Sequence, residues 1–512
     1  MSAQDHSELR HQELGGIFDM TGVVRGPDGI KRYQGLPRNL VHMLRAAVEQ
    51  QGGAEAVVET GDGPRVSYAE LWDRAARVAG GLRALGVERG DRVAIRLGNG
   101  IDWVLAFGGA LLADAIVVPV NTRFTDSEAE YVVTDSGAKH VFLPGAALPD
   151  GDPLVTDDQE PSSPAAIFYT SGTTGFPKGA VTTHENFLSN AETCRRALSV
   201  DPSGLRTLIS VPLFHVTGCN SQLLVAFYVG GTAVIMPVFE VGAFLTAIAE
   251  ERIDTMVTVP AIYWLAINQP AFADTDISRV RSVSYGGAPI APDLVARLAK
   301  AFPQARLGNG FGLTETSSVS TFLPNEFVAH ADSVGFPAPV CDVRLDEVGP
   351  DGTGELLIRG PNIVSGYWNK PEATAQAFVD GWLHSGDLAR IDDEGLVYLV
   401  DRVKDMINRG GENVYCVEVE NALAGAPGVY EAAVLGVPDE MMGEKVGAVI
   451  VPMPGAALDV PAVLGYLEEH IADFKVPQYV AVSAAPLPRN PGGKLLKRKL
   501  REETDWAAAT RR

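Results

Sequence analysis

Cysteine is scarce in this chain. Its four cysteines (Cys194, Cys219, Cys341 and Cys416) are widely separated, with no C-x-x-C pair among them. That spacing argues against a disulfide framework and a thiolate zinc site, and it fits a reducing cytosol. Basic residues are also short: 42 Lys and Arg stand against 64 Asp and Glu, for a net charge of −22. Such a balance repels nucleic acid and anionic membrane surfaces and favours solubility. Any anionic small molecule must then be drawn in by local basic groups. The first residues, Met-Ser-Ala-Gln-Asp-His-Ser-Glu, have neither the basic region nor the apolar core of a secretory signal. Long apolar runs are missing too. The most apolar stretch, Trp103 to Val120, is broken by Asp114, Pro119 and several glycines. It reads as a core helix followed by a buried strand, not a membrane span. The expectation is a cytoplasmic protein with no integral membrane segment and no nucleic-acid partner.

What is present is ordinary for a globular protein: 46% apolar and 21% charged residues over a length of 512. That is enough for roughly two to four domains with their own cores. Residues 1 to about 36 are polar and are expected to pack loosely. From there to about 140, helical patterns such as Tyr68 to Leu85 alternate with short apolar strands such as Arg92 to Arg96 and Ile116 to Val120. This alternation implies parallel sheet with helices on its faces. Pro144 to Pro164 holds five prolines among Asp, Gly and Ser, and reads as an exposed connection. A second α/β region runs from about 165 to 330, with strands near Thr207 to Val211, Thr232 to Ile235, Thr255 to Val259 and Ser282 to Tyr285. After 335 the texture turns to β, with Asp342 to Leu345, Gly354 to Arg359 and Leu396 to Val400 set between Gly, Pro and Asp turns. A boundary follows at Asp401-Arg402-Val403-Lys404. Beyond it, a helix from Pro461 to Ala472 sets Val463, Leu464, Leu467 and Ile471 on one face. The expected fold class is α/β. A large N-terminal domain (1–401) holds two mixed or parallel sheet-helix subdomains plus a β-rich part, and a small α+β domain (402–512) follows.

Residues 169 to 180, Tyr-Thr-Ser-Gly-Thr-Thr-Gly-Phe-Pro-Lys-Gly-Ala, carry the densest chemistry. Four hydroxyls (Thr170, Ser171, Thr173, Thr174), three glycines (Gly172, Gly175, Gly179) and Lys178 fall within ten positions. Glycine lets backbone N–H groups turn toward a common anion, and hydroxyls and an ammonium add donors for phosphate oxygens. The flanking runs predict strand, loop, strand. A P-loop would need a lysine followed by Ser or Thr at the start of a helix; here Pro177 precedes Lys178 and Gly179 follows it. Such composition alone is the usual mark of a surface turn. A lysine among so many donors, between two buried strands, favours phosphate binding.

This loop resembles the phosphate loop of the adenylate-forming superfamily, which includes acyl-CoA synthetases, luciferases and the adenylation domains of peptide synthetases. The likeness continues in order from about residue 40 to about residue 500. Asn309-Gly310-Phe311-Gly312-Leu313-Thr314-Glu315 resembles the segment that binds AMP and the α-phosphate. The resemblance implies Thr314 beside the nucleotide and Glu315 as a magnesium ligand, a role suited to a hard cation. Phe311 stands where Tyr is more common and keeps ring stacking. Tyr285-Gly286-Gly287-Ala288-Pro289 resembles the strand end that lines the adenine and acyl pockets. Asp387, after His384-Ser385-Gly386, and Arg402 match the pair that holds the ribose. In Pro488-Arg489-Asn490-Pro491-Gly492-Gly493-Lys494, Lys494 matches the catalytic lysine of the adenylation step, where a mobile cation meets charge gathering on carboxylate and α-phosphate. Lys404 matches the hinge of a mobile C-terminal domain. Asn408, Gly410 and Gly411 match the loop that lines the pantetheine tunnel, with Cys416 in place of a frequent proline. Phe474 and Lys475 match residues that meet the CoA nucleotide.

Pro212-Leu213-Phe214-His215-Val216-Thr217-Gly218 bears on the substrate. Amino-acid-activating relatives have an aspartate where this chain has His215, and 2-hydroxybenzoate-activating relatives have an asparagine where it has Val216. Both absences favour a neutral, largely apolar acid. His215 matches the gate between acyl pocket and thiol tunnel, and Thr217, Ser221, Tyr285, Gly312 and Val319 are the further pocket candidates. The resemblance implies an ATP-dependent, Mg²⁺-using acid:CoA ligase of fatty acid or secondary metabolism, and leaves a homodimer open. A ligase that loads a carrier-protein phosphopantetheine, or one that runs a single half-reaction, is the alternative. A luciferase-like oxygen chemistry and a non-catalytic nucleotide binder stand further off.

Overall fold

The alternation of helix and strand through the first part of the chain forms two sheets with helices against them. The computed structural model describes residues 16–170, 177–200, 204–410, 412–489 and 495–512. The chain divides into two units. The larger comprises Met1–Arg344, Leu357–Ser385 and Asp392–Tyr398; the smaller comprises Leu345–Leu356, Gly386–Ile391 and Leu399–Arg512.

In the larger unit, a nine-stranded sheet runs in the order Phe336–Pro337, Thr321–Leu323, Arg306–Phe311, Ser282–Gly286, Thr255–Thr258, Arg206–Ile209, Thr232–Ile235, Glu55–Glu59, Arg65–Ser67. Its strands from Arg306–Phe311 through Glu55–Glu59 are parallel, with antiparallel pairs at both edges. A five-stranded sheet has the order Ala138–Phe142, Arg92–Ile95, Ile116–Pro119, Pro164–Thr170, Lys178–Thr183, parallel except for the last pair. The helix Tyr68–Ala84 starts at a reciprocal cap between Ser67 and Glu70, which satisfies two otherwise orphaned N–H groups. It packs on the buried helix Ile101–Leu112. The approach is close enough that a Cβ at Gly109 would stand 2.4 Å from Val78. The apolar stretch from Trp103 to Val120 is therefore a core helix and a buried strand, as its sequence suggests. The largest apolar cluster draws on both sheets, with Trp103, Phe107, Phe168 and Phe187 fully buried.

One expectation needs correction. The segment before residue 36 does not pack loosely from Gly16 onward. Val23–Arg25 and Lys31–Tyr33 form a hairpin. Arg25 donates to Asp342 at 2.8 and 3.1 Å, Lys31 lies 2.9 Å from the same carboxylate and Arg359 3.0 Å. Burial would raise the Asp342 pKa, but Arg25, Lys31 and Arg359 outweigh it and hold it down to about 2. The polar composition of this segment reflects an ion cluster. Pro144 to Pro164 is the exposed connection its composition suggests, with its backbone pinned to neighbouring helices. Leu154 N–H donates to Ala76 O at 3.0 Å and Thr156 N–H to Leu112 O at 2.8 Å. A Cβ at Gly80 would collide with Asp152 O at 1.8 Å.

The smaller unit is α+β. Its sheet has the order Glu412–Val414, Ile407–Arg409, Gly443–Pro452, Tyr479–Val482, Thr510–Arg511, and Val429–Asp439 also pairs with Gly443–Pro452. The helices Cys416–Ala424 and Val460–His470 contribute Val419, Leu423, Val463 and Leu467 to its core. The expected helix over 461–472 thus starts one residue earlier and ends at His470, with Ile471 extended. All four cysteines of the chain are free and buried.

Candidate active site

The phosphate-loop candidate springs from a closed hairpin. Pro164–Thr170 and Lys178–Thr183 run antiparallel, with Thr170 opposite Lys178, so strand, loop, strand holds. Ser171, Gly172, Thr173 and Thr174 lie outside the described residues. The Lys178 ammonium sits 4.7 Å from the centre of the Tyr367 ring. The Tyr367 hydroxyl donates to Glu315 Oε1 at 2.8 Å. One phenol thus joins the lysine of one motif to the carboxylate of another. Tyr367 is placed there by backbone: Ala180 pairs with Tyr367 as an isolated bridge, and Trp368 N–H donates to Gly179 O at 2.7 Å. Sequence reasoning missed Tyr367; an aromatic pair after Gly366 was the available signal.

Two other motifs emerge side by side from parallel strands, with Tyr285 opposite Asn309 and Gly286 opposite Gly310. In such sheets ligands gather at the carboxyl ends of the strands. A Cβ at Gly286 would stand 2.2 Å from Gly310 O, and one at Gly312 only 1.3 Å from Ser318 O. These glycines allow backbone to meet backbone. Gly287, Ala288 and Pro289 are exposed, whereas Phe311, Gly312, Thr314 and Glu315 are half-buried. Asn309 spends its amide on Ser333 O at 3.0 Å.

Some of the acyl candidates, Ser221 and Val319, lie along a polar seam. Cys219–Leu223 is a π-helical turn, a form enriched at functional sites. It carries Ser221, whose hydroxyl lies 2.6 Å from that of Ser318, while Asn220 donates to Ser317 O at 3.0 Å. Val319 N–H donates to Asn190 Oδ1 at 3.0 Å. Ser317 and Ser318 both take positive φ, +52° and +112°, strain of a kind found at binding sites. Ser318 was also missed. Thr217 is half-buried. Tyr285 is 1% exposed in the second apolar cluster, and its hydroxyl has no hydrogen-bond partner. His215 is accessible to water although protein crowds its ring. That crowding, with Arg123 adding to it, pushes its imidazole down to about 4. His215 is therefore neutral near pH 7.

The smaller unit holds the remaining candidates. Arg402 Nε lies 2.8 Å from Asp387 Oδ1, so the two ribose candidates pair with each other. Gly386, at φ +72°, donates its N–H to Glu355 at 2.9 Å. Asp401 is 5% exposed; burial pushes it up to about 6, although it accepts the N–H groups of Arg402 and Cys416. Lys404 is half-exposed, and burial is the largest influence lowering its pKa. Asn408 N–H donates to Glu444 at 3.1 Å. Gly410 takes φ +63° and donates to Met442 O at 2.7 Å; a Cβ there would meet only the flexible end of Met442. Gly411 and Lys494 lie outside the described residues. Lys475 is held by Glu418 at 2.6 and 2.8 Å and lies 5.6 Å from the Phe474 ring centre. Burial pushes the Cys416 thiol up, which makes it inert.

The chain matches the AMP-binding enzyme family over residues 44–154 and 144–368, and the AMP-binding enzyme C-terminal domain over residues 418–494. A feruloyl-CoA synthase from Amycolatopsis sp is 38% identical over 470 residues, covering 86% of this chain and 94% of the relative. The long-chain-fatty-acid–CoA ligase FadD13 of Mycobacterium tuberculosis is 36% identical over 501 residues, covering 91% and 98%. The solved structure of o-succinylbenzoate coenzyme A synthetase from Bacillus subtilis with ATP and magnesium ion is similar at a TM-score of 0.82 and 28% identity, covering 90% of this chain and 98% of that one.

Proposed function

The chain belongs to the family of AMP-binding enzymes, and from that premise we infer its reaction. It is an ATP-dependent acid:CoA ligase. A carboxylate oxygen of the acid attacks the α-phosphorus of ATP, an oxygen–phosphorus bond forms and pyrophosphate leaves. The sulfur of CoA then attacks the acyl carbon of the adenylate. AMP departs with the electron pair of the broken carbon–oxygen bond, and the thioester remains.

The observation that carries the assignment of residues is the Lys178–Tyr367–Glu315 contact beside the ends of two parallel strands. Thr170, Ser171, Gly172, Thr173, Thr174 and Lys178 take the phosphates. Gly287, Ala288 and Pro289 border the adenine, and Asp387 and Arg402 serve the ribose. Glu315 suits magnesium: Tyr367 takes one carboxylate oxygen and leaves the other. Among the described residues no three His, Cys, Asp or Glu side chains gather as a cage, so nucleotide phosphates would supply further ligands. The metal spreads phosphate charge when bound. Lys494 meets the charge that builds during adenylation. His215, uncharged, closes the acyl recess without repelling or pairing with the substrate.

For the reaction the chain is divided at the hinge and not by packing, into 1–401 and 402–512, and the second part rotates at Lys404 between half-reactions. Rotation withdraws Lys494 and presents Asn408, Gly410 and Gly411 to the pantetheine arm. Lys475 exchanges Glu418 for a CoA phosphate, beside Phe474. The acid is neutral and largely apolar, since His215 and Val216 stand where amino-acid- and 2-hydroxybenzoate-activating relatives carry aspartate and asparagine. The acidic composition and four free, buried cysteines support a cytoplasmic location. Among the described residues no helix is long and apolar enough to cross a membrane. A homodimer stays open and is tested by light scattering.

A panel of fatty, aryl and polycyclic acids, scored separately for pyrophosphate release and CoA thioester, tests the reaction. Both products with at least one neutral acid are expected. Pyrophosphate with no CoA ester, but with acylation of a holo-carrier protein, overturns CoA as the acceptor.

A further inference from the structure

Residues 316–319 form a turn that its own backbone disfavours. Ser317 and Ser318 sit at φ +52° and +112°, a region that L side chains enter only when their surroundings hold them there. Each of the turn's four carbonyls accepts a hydrogen bond from a side chain. Asn362 spans the turn, donating to Thr316 O at 3.0 Å and to Val319 O at 3.1 Å. Asn220 donates to Ser317 O at 3.0 Å, and Thr316 Oγ1 donates to Ser318 O at 2.9 Å. The Val319 N–H in turn donates to Asn190 Oδ1 at 3.0 Å. Three asparagine amides therefore clasp one short stretch of backbone.

The asparagines come from separate segments. Asn190 lies in the helix His184–Ala197, Asn220 in the π-helical turn Cys219–Leu223, and Asn362 in the chain that leads to Tyr367. Their exposures are 0%, 0% and 1%. Asn190 also donates to Asn220 O at 3.0 Å, which ties the π-helical turn to the strained one. The Cys341 thiol donates to Asn362 Oδ1 at 3.2 Å. A primary amide suits these positions because it offers N–H groups to carbonyls and a carbonyl to a donor at once. A carboxylate of the same shape would only accept.

What the clasp fixes is the acid end of the site. Ser318 and Val319 lie within the turn, and Ser221, next to Asn220, has its hydroxyl 2.6 Å from that of Ser318. We propose that Asn190, Asn220 and Asn362 are positioning residues for acid recognition. They hold residues 316–319 in the strained form, and so set the wall that Ser221, Ser318 and Val319 present to the acid, without touching it themselves. The proposal rests on the acyl assignment made above. An unclasped turn relaxes toward ordinary φ, and that wall shifts with it. One pocket contact is worth about tenfold to two-hundredfold in discrimination, and loss of a single clasp bond belongs at the lower end.

The full chain is compared as parent, Asn190→Ala, Asn220→Ala, Asn362→Ala and Asn39→Ala. Asn39 is as buried, and donates to Asp157 O at 2.8 Å and Gln159 O at 3.0 Å, so its loss removes the same chemistry where no part of the turn is held. ATP–pyrophosphate exchange is measured with the two acids of the panel that the parent uses best, and thermal midpoints read the fold. Asn220→Ala is expected to raise KM for the acid about tenfold and to change the ratio of kcat/KM between the two acids about as much, with KM for ATP within about twofold of the parent. Asn190→Ala and Asn362→Ala shift both quantities in the same direction. Asn39→Ala lowers the midpoint and leaves KM for the acid and the ratio at parental values. Lower stability alone reduces the amount of active protein, and so kcat for every acid equally, while KM and the ratio stay put. Parental KM and ratio in the three clasp variants, or an equal rise in KM for ATP, therefore overturn the proposal. So does failure of all three to fold, which makes the clasp a requirement of the fold itself. A parent that exchanges pyrophosphate with no acid of the panel instead refutes the acid:CoA ligase reading, and the proposal falls with it.

Discussion

In the larger unit, the candidate nucleotide site is shaped by backbone against backbone: Gly286 against Gly310 O, and Gly312 against Ser318 O. In the smaller unit, the candidate residues are engaged by charge: Arg402 with Asp387, and Lys475 with Glu418. Backbone contacts are set once, at folding. An ion pair with a partly exposed carboxylate, such as Lys475 with Glu418, is weak enough to be exchanged, and a ligand phosphate has only to outcompete that carboxylate. The larger unit therefore carries shape, and the smaller carries groups that can change partner.

Gly312→Ala breaks the first half of this contrast with the largest expected effect. Its Cβ would collide with a main-chain oxygen that cannot rotate away, so the Thr314–Glu315 turn must move. Pyrophosphate exchange should fall by about a hundredfold or more; parental exchange would show that backbone fit does not set the site.

Gly410→Leu probes the second half. A side chain there meets only the end of Met442, although φ +63° adds strain of about 1–2 kcal/mol. Adenylate should still form, while thioester formation drops by about tenfold or more as the pantetheine path fills. An intact CoA step would remove the Asn408–Asn413 loop from the tunnel.

Glu418→Gln sharpens the idea of exchange. It releases Lys475 from its ion pair, and KM for CoA should fall by up to about fivefold, the scale of one exposed pair. A higher KM for CoA would mean that Glu418 orients Lys475 and does not compete for it.

Acidity separates the units on the finest scale. Asp342, ringed by cations, is held down to about 2. Its stabilisation is present above the ordinary aspartate value of about 3.9 and is lost as pH falls through the lower value. Asp401 is pushed up to about 6 by burial, so its contribution is full below about 3.9 and lost as pH rises through the higher value. Between about pH 4 and pH 6 the thermal midpoint should fall slightly through Asp401 and then level off, and Asp401→Asn should remove that slope. An unchanged slope in the variant would assign it to another group.

Much of this was legible where information is local. The hairpin around Lys178, the parallel strand ends at Gly286 and Gly310, and the helix at Val460–His470 all follow from turn residues and apolar period. What the sequence could not carry was pairing at a distance. Glu315 meets Tyr367 across 52 positions, and Arg25 meets Asp342 across 317. Lys475 suits a phosphate in sequence, but which carboxylate holds it depends on how the helix Cys416–Ala424 docks. The polar N-terminal segment looked loose because composition reports charge and not what neutralises it.

All four cysteines are buried and free, and burial pushes each thiol up. Thiolate is the species that thiol-directed dyes attack, so the folded protein gives such a dye almost nothing to react with at neutral pH. CoA is then the reactive thiol in a turnover mixture, and its disappearance can be followed by colour even at high protein concentration. The same dye doubles as a sentinel: colour developing in protein alone marks chains whose cores have opened.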